Sequence, residues 1–233
     1  MASLTIQASD GSGSFGGYLA LPGKTPAAAV LVIQEIFGIN KVMRDLCDGF
    51  AAQGYLAFSP DLFWRIKPGI DITDQTEAEW QQAFELFQKF DVDKGIEDLK
   101  ASLTTLRGHE ACNGRVGSVG YCLGGKLAFL MATRSDADCN VSYYGVGLLD
   151  HIAEVKNIAK PLLMHVARED GFVPKDQQDE VAAAVAANAH VTLHSYEGQD
   201  HAFAREGGAH YDAAAASTAN QRTREFFARN LRD

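Results

Sequence analysis

Basic residues are in short supply in this chain: 21 Lys and Arg stand against 30 Asp and Glu, a formal charge of −9 over 233 residues. Nucleic acids and anionic lipid surfaces are gripped through basic faces, so this balance argues against either as a partner. Long apolar runs are also lacking. The longest, Ala27–Ile33, falls far short of the roughly 18 residues a spanning helix requires. The first ten residues have neither a basic start nor an apolar stretch of leader length. These absences lead to the expectation of a cytoplasmic protein with no membrane attachment.

Cysteine is scarce and irregular. Cys47, Cys112, Cys122 and Cys139 show no C-x-x-C spacing, so free thiols in a reducing compartment are expected rather than a disulfide framework. No Pro/Ser-rich linker or composition break divides the chain. Gly-Tyr-Leu-Ala recurs at 17–20 and 54–57, but with unlike flanks, so it marks no repeat. With 46% hydrophobic residues, a single domain over 1–233 can bury a full core without a metal or disulfide.

What is present is an alternation of strand-like and helix-like segments, the pattern of βαβ units and a mostly parallel sheet. Leu4–Ala8 and Gly16–Leu21, joined through Asp10-Gly11-Ser12-Gly13, read as an antiparallel hairpin at the sheet edge. Strands are expected at Ala28–Ile33, Tyr55–Phe58, Arg115–Gly120, Val141–Tyr144, Pro161–Val166 and Val191–Tyr196. Helices are expected at Val42–Gln53, Gln75–Lys89, Val92–Leu106, Lys126–Thr133, Lys175–Ala187 and Tyr211–Ala228. Residues 61–74 read as the longest irregular stretch. In such a sheet the chemistry gathers at the carboxyl ends of the strands.

One of those ends carries Gly120-Tyr-Cys122-Leu-Gly124 between a strand and a run of helix formers. That is the cysteine form of the G-x-S-x-G nucleophile elbow. The turn sets the sulfur at a helix N-terminus, where dipole and unpaired N–H groups favour a thiolate. The Leu123 N–H is then a candidate oxyanion donor. A buried cysteine in a glycine-rich loop is the bland alternative.

A nucleophile of this kind needs an imidazole base and a carboxylate to orient it, in the chain order nucleophile, acid, base. Asp170 follows the strand Pro161–Val166, with Glu169 as its competitor; Asp170-Gly171 makes the better turn. His201 follows the strand Val191–Tyr196. His151, His165, His190, His194 and His210 fall in strands, helices or polar surface. His190 and His194, four apart on one strand, lack a third ligand for a metal. Three residues in the required order, each past a strand end, favour the triad over chance.

Gln34-Glu35-Ile36-Phe37-Gly38, Gly120-Tyr-Cys-Leu-Gly-Gly125 and Tyr143-Tyr144-Gly145-Val146-Gly147 together resemble the dienelactone hydrolases, or carboxymethylenebutenolidases, of the α/β-hydrolase superfamily. The similarity runs from about residue 4 to 228. It implies an α/β-hydrolase fold, with helices on both faces of a mostly parallel sheet. It also implies hydrolysis of an enol-lactone in bacterial chloroaromatic breakdown, with no cofactor and no metal. Cys122 is then the nucleophile, His201 the base and Asp170 its orienter. Glu35 matches a glutamate that pairs with the resting thiol and helps deprotonate it. The Ile36 N–H is the second oxyanion donor, and Arg205 matches an arginine that holds a substrate carboxylate. Phe37 and Tyr143 are further substrate-binding positions. The departure is at Trp80. Aligning Gln82-Ala83-Phe84 with the family's helix puts its second substrate arginine there, so an indole replaces half of a carboxylate clamp.

Chemistry narrows the substrate in the same direction. A thiolate leaves a tetrahedral intermediate before an amine or alkoxide does, so cysteine favours enol-lactones, aryl esters and thioesters over amides. The route passes through a thioester acyl-enzyme. A broader carboxylesterase or thioesterase for bulkier or aryl esters is the nearest alternative. A peroxide-reactive thiol without hydrolase activity is the rival from another class, and a silent fold-mate a third. The expected partner is a small-molecule ester or lactone, and the expected state a monomer or weak homo-oligomer.

Overall fold

The computed structural model describes residues 4–232; the reading of Met1–Ser3 lies outside them. The chain divides into two compact units at Gly117/Ser118. In the first unit, β1 (Ile6–Gln7) pairs antiparallel with β2 (Ser14–Phe15) as a two-stranded ribbon. β3 (Gly17–Ala20) lies antiparallel to β5 (Leu56–Pro60), and β5 is parallel to β4 (Ala27–Ile33). β4 is buried from Ala28 to Ile33, which explains its unbroken apolar run: a parallel strand covered on both faces has no polar side. Three helices complete this unit: α1 (Lys41–Ala52), α2 (Glu77–Lys89) and α3 (Val92–Arg107). Each opens on a short polar cap: Asn40, Thr76 and Asp91 accept the N–H of Met43, Glu79 and Lys94.

β6 (Cys112–Tyr121) continues into the second unit. There β6, β7 (Asn140–Tyr143), β8 (Leu162–Ala167) and β9 (Val191–Tyr196) run parallel in that order. Helices α4 (Leu123–Arg134), α5 (Lys175–Ala186) and α6 (Ala213–Leu231) connect or follow the strands. α4 is buried almost throughout, so it is apolar all round rather than on one stripe.

The mostly parallel α/β architecture is the one anticipated, with corrections. The hairpin partner of the first strand is Ser14–Phe15, while residues 17–20 leave it for the main sheet. Gly17 permits this: a Cβ there would run into the Ser59 carbonyl of β5. Helix α4 begins at Leu123, three residues before the expected Lys126, directly after Cys122. His190 sits in the turn before β9 rather than on it. A 3₁₀ helix, Leu149–Asn157, was not anticipated. Arg134 fastens it to the end of α4 through two bonds to Glu154, at 2.7 and 2.6 Å.

Among the described residues no helix is long and apolar enough to cross a membrane, and no group of three His, Cys, Asp or Glu is placed to hold a metal ion.

Candidate active site

The site in the second unit starts at a glycine. A Cβ on Gly120 would collide with the Gly124 carbonyl, and one on Gly125 with the Tyr143 carbonyl. Their absence lets β6 turn straight into α4 and lets α4 lie against β7. The turn is tight enough to hold Cys122 at φ 56° and ψ −116°, a region that non-glycine residues visit only under constraint. The constraint is visible: the Cys122 N–H donates to the Tyr143 carbonyl at 3.1 Å, and the Cys122 carbonyl accepts from Lys126 at 3.2 Å. Cys122 is therefore the N-cap of α4, and the first-turn amides, Leu123 included, have no acceptor within the helix. Such amides are what an oxyanion requires.

Asp170 lies three residues beyond β8 and His201 five beyond β9. The structure joins them: His201 Nδ1 meets Asp170 Oδ2 at 2.8 Å, both side chains being buried. The other carboxylate oxygen accepts the Phe172 N–H at 2.9 Å, so Asp170 is fixed at both oxygens. Asp200 braces the two loops by accepting the N–H groups of Gly171, at 3.0 Å, and His201, at 2.6 Å. With Nδ1 taken by Asp170, Nε2 is the nitrogen left to the sulfur, and a side-chain hydrogen bond links His201 to Cys122. Glu169 is exposed and pairs with Lys175 at 2.7 Å.

The charges reinforce this arrangement. Burial is the largest influence on His201 and disfavours its charged form. The electrostatic influence of Cys122, with hydrogen bonds to Asp170 and Cys122, overrides it and raises the imidazolium from 6.5 to about 10. Cys47 and Cys139 have thiol pKa values raised by burial, reinforced by the nearby charges of Asp48 and Asp138.

Other expected site residues separate. Arg205 is buried in the turn that follows His201, its N–H donating to the Ala202 carbonyl at 2.9 Å. Tyr143 is completely buried, and its hydroxyl is tied to Asn220 at 3.0 Å and Thr223 at 2.7 Å on α6. Its neighbour Tyr144, passed over in the sequence, presents its ring edge to His201 with centroids 5.2 Å apart. Phe172 does the same from the acid loop at 4.9 Å, half exposed. Two tyrosines in a row at a strand end were the available signal for Tyr144; the alternation of side chains decides which one faces inward. In the first unit, Glu35, Ile36 and Phe37 are buried just beyond β4. Trp80 meets Phe37 edge-on at 5.1 Å, stacks on Phe84 at 5.5 Å, and donates its indole N–H to the Asp74 carbonyl at 2.9 Å.

Known proteins resemble this chain along nearly its whole length. The sequence model described as Dienelactone hydrolase family matches residues 15–231. A carboxymethylenebutenolidase of Pseudomonas putida is 40% identical over 225 residues, covering 97% of this chain and 95% of its own. Carboxymethylenebutenolidase 1 of Cupriavidus pinatubonensis is 38% identical over 216 residues, covering 93% and 92%. Among solved structures, a dienelactone hydrolase-like promiscuous phosphotriesterase from metagenomic libraries shares the fold at a TM-score of 0.78 and 17% identity, covering 99% of this chain and 98% of its own. The chain belongs to the dienelactone hydrolase family.

Proposed function

We propose that this chain hydrolyses enol-lactones and activated esters through a Cys122–His201–Asp170 triad. The observation that carries the reading is the buried 2.8 Å contact of His201 with Asp170, in the same unit whose strained turn between β6 and α4 presents Cys122. The names of the Pseudomonas and Cupriavidus relatives support the lactone.

In this reading the Cys122 sulfur attacks the carbonyl carbon, and the oxyanion is received by the N–H groups of Leu123 and Ile36. The bond to the enol or phenol oxygen breaks as His201 Nε2 delivers its proton there, leaving a thioester. Water then adds to the thioester while His201 takes its proton. The C–S bond breaks, releasing the acid and restoring the thiolate–imidazolium pair. Asp170 fixes the tautomer throughout. Glu35 retains the role of drawing the proton from a resting thiol, Arg205 that of holding a substrate carboxylate, and Phe37 and Trp80 those of apolar substrate contacts. The partner is a small-molecule ester, and the working state a cytoplasmic monomer or weak homo-oligomer.

Turnover of a panel of dienelactone, aryl esters and thioesters tests the activity, and one equivalent of iodoacetamide tests the nucleophile. Activity should fall in step with alkylation of Cys122. Loss of activity on labelling Cys47, Cys112 or Cys139 instead would remove Cys122 from the role, and a reactive thiol with no turnover on any ester would place the chain in the redox class.

A further inference from the structure

Gln178, on the first turn of α5, is 5% exposed and takes no part in the chemistry above. Its Nε2 donates to the Val173 carbonyl at 2.8 Å and reaches the Arg168 carbonyl at 3.4 Å. Those two residues flank Asp170 on either side of the acid loop. The amide orientation is thereby decided, because reversing it would set Oε1 against two carbonyl oxygens. Oε1 is consequently turned away from the loop, buried and without a protein donor. Gln178 also lines a cavity of about 20 Å³ whose wall includes Asp170, Tyr144 and His165. That is room for about one water, and a buried carbonyl oxygen without a donor is costly enough that such groups are regularly met by one.

We propose that Gln178 is a positioning residue for Asp170: Nε2 straps the acid loop on both sides, and Oε1 holds one buried water in the cavity that Asp170 borders. This rests on the triad reading above. The other bonds that hold Asp170 in its loop are the Phe172 N–H on its carboxylate, the Val173 N–H on its carbonyl at 3.3 Å and its own backbone N–H on the Ala167 carbonyl at 3.4 Å. All three are local, and none ties the loop to a helix. Gln178 does.

Gln178→Met keeps the side-chain length and removes both polar atoms; Gln178→Glu keeps an acceptor but turns it against the two carbonyls. Both should lower kcat on an aryl ester by roughly ten- to a hundredfold, the scale of small misplacements in catalytic geometry, with KM within about twofold. Both should move the alkaline limb of the pH profile downward, because a loosened Asp170 holds the His201 proton less well. The low-field NMR signal of the His201 Nδ1 proton should weaken or exchange faster. Rates are taken per active site, by iodoacetamide titration, so that a partly unfolded sample does not imitate the effect. Folded variants with wild-type kcat, pH profile and Nδ1 signal would overturn the proposal. Should neither variant fold, a high-resolution crystal structure of the wild type decides: a dry cavity, or an amide turned away from Arg168 and Val173, overturns it equally. Asp170→Asn separates the two readings. If it is neutral, the triad fails and Gln178 with it. If it is crippled while the Gln178 variants are normal, only the strap fails. In the double variant with Gln178→Met, no loss beyond that of Asp170→Asn is expected.

Discussion

Cys122 takes a backbone conformation that its neighbours impose rather than one it prefers. The sulfur is presented because Gly120 and Gly125, having no Cβ, let β6 turn directly into α4. The chemistry then depends on where one proton rests. His201 keeps its proton up to about 10, with the Cys122 charge and Asp170 acting against burial. Asp170→Asn removes one of those supports, so the alkaline limb of kcat/KM should move to lower pH and kcat should fall, acid–base catalysis contributing about 10²–10⁴-fold. A pH–rate profile for an aryl ester checks this; an unmoved limb would mean that Asp170 does not sustain the imidazolium. The role proposed for Trp80 concerns specificity. It lies in an aromatic cluster with Phe37 and Phe84, which suits aryl or bulkier esters better than a small anionic lactone. Trp80→Arg should raise the dienelactone-to-aryl-ester ratio of kcat/KM by about one to two powers of ten, the equivalent of a charged hydrogen bond of about 1.5–3 kcal/mol. An unchanged ratio would show that position 80 does not meet the substrate.

At the scale of elements, the segments with a clear period or an unbroken apolar run were legible, and their bounds moved by one to three residues. The first strand's partner was not. Alternation identifies a strand but says nothing of which neighbour it hydrogen-bonds, and the ribbon's position depends on a polar cluster far apart in sequence. Asp98, 1% exposed, accepts Arg65 Nε at 2.8 Å, a terminal Arg65 nitrogen at 2.7 Å and the Trp64 indole at 2.8 Å. Arg65 also reaches Asp10, at 2.9 Å, and Ser12, at 2.6 Å, in the turn between β1 and β2. One carboxylate on α3 thus organises the irregular stretch after β5 and the ribbon together. Asp98→Asn should cost about 2–3 kcal/mol, short of the 3–5 kcal/mol of a fully buried pair because Arg65 keeps Asp10 and part of its exposure. A shift in the urea midpoint at constant slope measures it. A change below about 0.5 kcal/mol would show the cluster to be incidental.

Across the chain as a whole, a buried histidine links pH to stability. His165 on β8 bonds Tyr196 through Nδ1 at 2.8 Å and Thr223 through Nε2 at 3.0 Å. Burial first, then the charges of His194 and Arg222, hold its pKa well below 6.5. The folded protein therefore binds fewer protons than the unfolded chain once the pH drops below 6.5. Stability should be complete above that value and fall beneath it, by about 1.4 kcal/mol per pH unit for one withheld proton. His165→Gln should flatten the wild-type slope between pH 6.5 and 5 in denaturant titrations; an equally steep slope would assign it to other groups, His194 first. We further propose that residues 1–233 unfold as a single domain, since β6 runs through the division at Gly117/Ser118. Coincident transitions by circular dichroism and tryptophan fluorescence are expected, and two resolved transitions would refute it.

The sequence by itself determined the α/β class, the elbow at Cys122 and the order of its candidate partners, because apolar periodicity, glycine spacing and chain order are one-dimensional properties. Only the tertiary structure decided that Asp170 and not Glu169 meets His201, that Tyr143 serves α6 while Tyr144 flanks the imidazole, and that Gln178 stands behind the acid loop. Each of those choices turns on the direction of a side chain at a strand end or within a loop. That direction is set by carbonyls, hydroxyls and carboxylates up to 80 residues distant, which no local pattern records.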